Sequence, residues 1–366
     1  MRLFLLNYLL LLSICVVRAQ ERSDFYFTHV NGENGLSASN VKAILQDSYG
    51  FMWFGTKNGL NRYDGTSILQ FDCDDLEEGT GNHNIGALFE DKERNLWVGT
   101  DRGVYIYNPA VDVFKRFKIA SSEGITLDNW VAEILSDSLD NIWVLIPDQG
   151  LFRYKDGKVH HYSLLDKDNL KNNNPECICI NEQGEVWVGT SGVGLFNYNY
   201  RDDKFEQYLT DRMVRSFIGK TIISICFQKE NAILGIHEGD LLKYNTRTDE
   251  LSEVSFLGEK KTFLRDVMCF GDEIWVGSLH GIFIINEKEN NVIHLKEDLM
   301  RSFSLSDNSI YSIYKDHEGG IWIGTMFGGV NYLPNRILTF DKYVPGSDSH
   351  SLNTKRIRGL AEDNNG

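Results

Sequence analysis

Asp101, Asp148 and Glu238 are the first candidates for chemistry in this 366-residue chain, each lying just beyond a strand-like apolar run. Two carboxyl groups about 5–9 Å apart would suffice for glycoside hydrolysis, but spacing along the chain does not say which pair meets. Cys177 and Cys179, in "ECICI", are two apart in a strand-like run. Their side chains therefore point to one face without disulfide geometry. A Cys-X-Cys pair can ligate metal, yet no histidine or cysteine follows at ligand spacing, so the two read as buried free thiols. The acidic segment "DCDDLEEG", residues 72–79, lacks the glycine and terminal glutamate of a calcium loop and reads as a solvated turn. "GTKNG" and "GTSGVG" lack the lysine and following helix of a phosphate-cradling loop. No histidine constellation supports a metal or redox centre, and no metal or cofactor is expected.

A second set of residues suits recognition. Sugars pack their ring faces on apolar platforms and offer hydroxyls to amides, carboxylates and guanidinium groups. Trp130, Phe327, Arg102 and Asp148 make such a set, with Gln149, His237, Glu238 and His280 beside them in similar segments. Lys57, Asn58, Asp101 and Met326 occupy matching short connections, and Asn129, Asn173, Arg215, Arg265 and Asn308 lie in longer ones.

A repeat has to bring these scattered positions together. "DSYGFMWFGTKNGLNRYDG" recurs as "DKERNLWVGTDRGVYIYN", "DSLDNIWVLIPDQGLFRYKDG", "NEQGEVWVGTSGVGLFNYN" and "DHEGGIWIGTMFGGVNYL", with weaker copies at 228 and 271. The anchors Trp53, Trp97, Trp143, Trp187, Leu234, Trp275 and Trp322 are 44, 46, 44, 47, 41 and 47 residues apart. Each unit opens on a nearly continuous apolar run such as "NVKAILQ", passes through the tryptophan strand and a glycine turn, and ends on an alternating polar strand such as "FKRFK". Apolar inner strands, polar outer strands and a period of about 45 residues predict an all-β chain, a seven-bladed β-propeller of four-stranded antiparallel blades. The tryptophans are large enough to fill the wedge between neighbouring sheets. In such a ring, the short connections between second and third strands and the longer connections between blades share one rim, where the candidate residues would gather.

"FYFTHV", residues 25–30, is a surplus outer strand before the first unit. Pairing it with the sheet of Trp322 would close the ring by an N-terminal strand and leave residues 337–343 over. "SLNTKRIRGLAEDNNG" matches the start of the first unit, so residues 345–366 are expected to begin an eighth repeat, cut short, of a second propeller. The propeller itself is assigned to 20–344. An Arg-led apolar run from Leu3 to Val17, with Val17 and Ala19 at small-residue positions, reads as a signal peptide over residues 1–19. Its removal would take the net charge from −15 to −17 and leave five cysteines, Cys73, Cys177, Cys179, Cys226 and Cys269. No basic stripe accompanies that acidity, which excludes nucleic acid as a partner.

The motif D-x-x-G-x-φ-W-φ-G-T-x-x-G-φ-x-x-Y, preceded by "GLSASNVKAIL", resembles the two-component regulator propeller repeat over residues 25–366. The sialidase Asp-box differs, with five positions from Asp to Trp against six here. The resemblance implies a periplasmic sensor region of a Bacteroidetes hybrid two-component histidine kinase. It further implies an oligosaccharide ligand, control of a polysaccharide-utilisation locus, and a second propeller, membrane helix and kinase as the remaining partners. A homodimer is a further candidate assembly. The sequence departs from the pattern at Leu234 and in a shortened turn before Trp275, so blades five and six are expected to be eccentric. The alternatives are a propeller hydrolase or lyase and a protein-interaction scaffold.

Overall fold

A computed structural model of the chain describes residues 25–71, 84–118, 124–164, 174–208, 217–256 and 262–335, together with Gly359. The expected leader at 1–19, the segments 72–79, 337–343 and, apart from Gly359, 345–366, and Cys73, Asn173 and Arg215 lie outside the described residues.

Each apolar run followed by a tryptophan strand becomes the inner half of a four-stranded antiparallel sheet, and seven such sheets close into a ring. Blades 1 to 7 begin with the innermost strands Val41–Gln46, Ile85–Glu90, Glu133–Ser136, Pro175–Ile180, Ile222–Gln228, Leu264–Phe270 and Ile310–Lys315. The second strands, among them Met52–Thr56, Leu96–Thr100, Ile142–Ile146, Val186–Thr190 and Ile321–Thr325, are buried at every position. Outer strands such as Lys204–Gln207 and Glu250–Glu253 are largely solvent-facing.

The tryptophans fill the seams. Trp53 meets Tyr107 of the next blade with ring centroids 5.6 Å apart, Trp97 meets Tyr154 at 5.5 Å, and Trp143 meets Tyr198 at 4.8 Å. The partner tyrosine is the last residue of the repeat motif, so one motif supplies both halves of a seam. Ring closure uses the same pair: Trp322 of blade 7 packs on Tyr63 of blade 1 at 6.1 Å. The surplus strand Thr28–Val30 is the outermost strand of blade 7, with Thr28 opposite Tyr332 and Val30 opposite Val330. Ring closure thus occurs as the sequence predicts.

Blades 5 and 6 are ordinary four-stranded sheets, a correction to the expected eccentricity. Their departure is chemical. In blades 1, 2, 3 and 7 an aspartate six residues before the tryptophan accepts its indole N–H, in Asp47–Trp53, Asp91–Trp97, Asp137–Trp143 and Asp316–Trp322, at 2.7–2.9 Å. Blade 5 has Leu234 at the anchor position, and in blade 6 Trp275 Nε1 donates to Glu273 instead. These two blades are joined by a disulfide between Cys226 and Cys269, a pairing the sequence analysis did not propose. Cys177 is a buried free thiol and Cys179 a half-buried one. No helix among the described residues is long and apolar enough to cross a membrane.

Candidate ligand-binding site

Short connections between second and third strands fold back onto the start of their own blade's innermost strand. Lys57 N donates to Asn40 O at 3.3 Å, Asp101 N to Asn84 O at 3.1 Å, His237 N to Thr221 O at 2.9 Å and Met326 N to Ser309 O at 2.9 Å. Both loop types therefore share one rim. A single hydroxyl sets each tight turn: Thr100 Oγ1 donates to Gly103 O at 2.9 Å and accepts Arg102 N at 3.0 Å. Thr56 does the same for Asn58, and Ser278 for His280. Gly103 is required there, because its φ of 105° is left-handed and a Cβ would strike the Leu127 carbonyl.

The predicted residues distribute around this rim. Arg102 on blade 2, Asp148 on blade 3, Glu238 on blade 5 and His280 on blade 6 are exposed. His280 Nδ1 pairs with Thr262 Oγ1 at 2.7 Å, and half-buried His237 lies tilted against the Phe263 ring with centroids 5.0 Å apart. Phe327 on blade 7 is 70% exposed, its backbone N–H held by Asp307 at 2.8 Å. Gln149 is half-buried, and its Oε1 has no partner among the described residues. Arg102, Asp148, Glu238 and Phe327 stand on four different blades, and no hydrogen bond among the described residues joins them to one another. Of the candidates, Trp130 and Arg265 turn toward the axis of the ring.

The axis has its own pattern, which the sequence analysis missed apart from Trp130 and Arg265. In six blades the innermost strand is bulged one residue after its start, with register shifts between Val41 and Ala43, Ile85 and Ala87, Pro175 and Cys177, Ile222 and Ser224, Leu264 and Asp266, and Ile310 and Ser312. A bulge re-aims a side chain out of the ladder. The bulged residues are Lys42, Gly86, Glu176, Ile223, Arg265 and Tyr311. Aligning the units exposes this variable position inside otherwise apolar strands, a usable signal.

On blades 6, 7 and 1 these residues converge. Arg265 lies over the Tyr311 ring at 5.8 Å, Lys42 Nζ at 5.9 Å from the same ring, and Lys42 Nζ at 4.5 Å from the Trp130 ring. Trp130 reaches this place because blade 2 has glycine at its bulge: a Cβ on Gly86 would lie 2.6 Å from the indole. Burial pushes the Lys42 ammonium below its ordinary value, Asp101 partly offsets this, and the neighbouring Arg265 charge adds to the lowering. On the opposite side, burial raises the Glu176 carboxyl, Ser191 opposes the shift, and Asp148 adds repulsion. Beneath the mouth, Glu133 Oε2 accepts Ile178 N from blade 4 at 2.6 Å, and Asp266 accepts Ile313 N from blade 7 at 2.8 Å. Burial pushes Glu133 up to about 8 and Asp266 up to about 6.

Comparison with known proteins agrees with this architecture. Residues 35–58, 79–102 and 304–327 match the family described as Two component regulator propeller. Each matched segment runs through an innermost strand, an aspartate turn and the Gly-Thr pair, in blades 1, 2 and 7. The chain is similar to Histidine kinase P4 of Formosa agariphila, 25% identical over 158 residues, which covers 41% of this chain and 12% of that protein. Among solved structures, the extracellular domain of BT4673 from B. thetaiotaomicron, described as a one component system, is 25% identical with a TM-score of 0.71, over 86% of this chain and 40% of that one. The extracellular domain of BT3049 from the same organism, described as a hybrid two component system, is 24% identical with a TM-score of 0.74, over 93% of this chain and 46% of that one. The chain thus spans less than half the length of each of these relatives. Three of the seven blades thus carry segments that match the two component regulator propeller family, within a seven-bladed fold similar to extracellular domains of two-component and one-component systems.

Proposed function

We propose that this propeller is the periplasmic ligand-sensing part of a hybrid two-component system, secreted through a leader at residues 1–19. Its ligand is an oligosaccharide, and binding is relayed through further sensor domains and a histidine kinase to a polysaccharide-utilisation locus. The observation that carries the reading is the three in-register regulator repeats inside a fold similar, over most of this chain, to extracellular domains of signalling systems. The site supports it: a rim of polar, histidine and aromatic side chains surrounds a mouth lined by Trp130 and Tyr311, the mixture that sugar recognition uses. The protein acts by binding and not by turnover. Calorimetry and thermal unfolding with a broad oligosaccharide panel test this. A heat of binding with the sugar recovered intact is the expected result, whereas release of new reducing ends would establish a hydrolase or lyase. Absence of any sugar binding, with capture of one defined periplasmic protein, would establish the scaffold.

A further inference from the structure

We infer that the channel mouth formed by Lys42, Arg265, Tyr311 and Trp130 is a binding site for an anionic oligosaccharide, its carboxylate or sulfate held between the two cations and its rings against the two aromatic faces. The inference rests on the sensing function proposed above and names the ligand class for it.

Four observations carry it. Two cations from different blades, Lys42 and Arg265, are brought together by bulges that turn them out of their ladders. Neither has a hydrogen-bonded or ion-paired acceptor among the described residues, and Arg265 Nε is fully buried without a partner. Burying an uncompensated charge is costly, and retaining two side by side costs more, unless an anion completes the site. The neighbouring acids do not complete it: Asp101 offsets only part of the Lys42 shift, and Glu133 and Asp266 are each engaged by a backbone N–H of the next blade. Finally, Trp130 and Tyr311 flank the cations with ring faces, and the glycine at position 86 leaves the space that Trp130 occupies. A planar guanidinium and an ammonium beside two rings match an acidic pyranose better than a neutral one. The low-dielectric surroundings strengthen that preference.

Calorimetry on the purified chain tests the inference with three probes: oligogalacturonates, sulfated galactan oligomers and neutral galactan oligomers. An acidic oligomer is expected to bind at least about tenfold more tightly than its neutral counterpart, with affinity falling as salt rises. The first two probes separate a carboxylate from a sulfate as the recognised group. Lys42→Met and Arg265→Met keep their apolar stems and are each expected to weaken acidic binding about tenfold. Lys204→Met, on an outer strand, is the control for general charge loss. Equal binding of neutral and acidic oligomers, or unchanged acidic binding in both variants, would overturn the anionic site while leaving the sensing function standing. No binding by any of the three probes would also overturn the anionic site, and the broad panel then decides the sensing function separately. Should a variant fail to fold, the acidic-to-neutral ratio and salt dependence of the wild-type chain decide the matter alone.

Discussion

Trp143 Nε1 donates to Asp137 Oδ2 at 2.9 Å, and that bond fastens the wedge of blade 3 to the turn that precedes it. The same carboxylate accepts Asn141 N and Leu139 N at 3.0 Å and the Tyr200 hydroxyl at 2.9 Å, so one buried side chain organises the turn, the wedge and an aromatic residue of blade 4. Asp137→Ala orphans a buried indole N–H and two turn amides together and is expected to cost about 3 kcal/mol. Urea unfolding monitored by tryptophan fluorescence reads this directly. Burial pushes the Asp137 carboxyl upward, but the bonds from Trp143, Asn141 and Tyr200 outweigh it and hold it below its ordinary value. Its contribution to stability is therefore complete above that ordinary value and is lost as pH falls through the depressed one.

Blade 4 shows what happens without the clamp. Asn181 replaces the aspartate, its amide donates to Glu185 at 2.7 Å, and Trp187 Nε1 is buried with no partner among the described residues. Blades 2 and 3 instead have asparagine four residues after the aspartate, and Asn95 and Asn141 each donate to that carboxylate. The double variant Asn181→Asp/Glu185→Asn imports their arrangement and is expected to stabilise the chain by about 1–2 kcal/mol. Asn181→Asp alone should gain less, because the new carboxylate faces Glu185. A chemical-denaturation midpoint that falls in the double variant would contradict the clamp's role.

The Cys226–Cys269 bond joins blades 5 and 6, two of the three consecutive blades in which no aspartate clamps a tryptophan. A cross-link closing 43 residues restricts the unfolded chain by an amount worth about 4 kcal/mol at most in the chain-entropy account. Cys226→Ser/Cys269→Ser is expected to lower stability by about 2–4 kcal/mol. Reductant should shift the midpoint of the wild-type chain and leave that variant unmoved.

Much of this architecture was legible because each repeat states its own fold: apolar inner strand, tryptophan strand, glycine turn, polar outer strand. Closure was legible as a surplus strand. Other features depend on comparing units with one another. Cys226 and Cys269 each follow the residue opposite the blade anchor, Ile225 facing Leu234 and Met268 facing Trp275, so an aligned reading would have paired them. Lys42 and Tyr311 hide in apolar strands, and only the ring places them together, as it places Gln46 N against the Tyr314 hydroxyl at 3.0 Å. The rim set was legible as loop positions on successive units, but the repeat does not say which of its members, such as Arg102 on blade 2 and Phe327 on blade 7, would meet one ligand.

Glu133 gives the seam between blades 3 and 4 a pH dependence. Burial raises its carboxyl to about 8, the bond from Ile178 N partly opposes this, and the charge of Asp266 adds to it. The folded chain thus retains a proton that the unfolded chain has lost above its ordinary value of about 4.3. Its stabilising contribution is complete below that value and disappears as pH rises through about 8. Glu133→Gln can still accept from Ile178 and cannot ionise. Stability measured from pH 5 to 9 is expected to fall in the wild-type chain and to flatten in the variant; parallel curves would place the titration elsewhere.

Ring closure makes the sharpest structural prediction, because it rests on a three-residue strand. Thr28–Val30 pairs with Val330–Leu333, and Phe27 just before it is 2% exposed, its N–H bonded to Phe303 O at 2.9 Å. Phe27 packs in the cluster that contains Trp275, Ile310 and Ile323, which span blades 6 and 7. The terminal segment is therefore anchored by a buried ring as well as by ladder hydrogen bonds, and the ring is the larger contribution by area. Phe27→Ala should cost about 3–5 kcal/mol, whereas Tyr26→Ala, one residue away, half-buried and edge-on to Phe303 at 6.0 Å, should cost less, about 1–2 kcal/mol. Hydrogen exchange should locate the loosening in blade 7 first. Exchange that rises evenly around all seven blades would mean that the strand adds only general stability and does not close the ring.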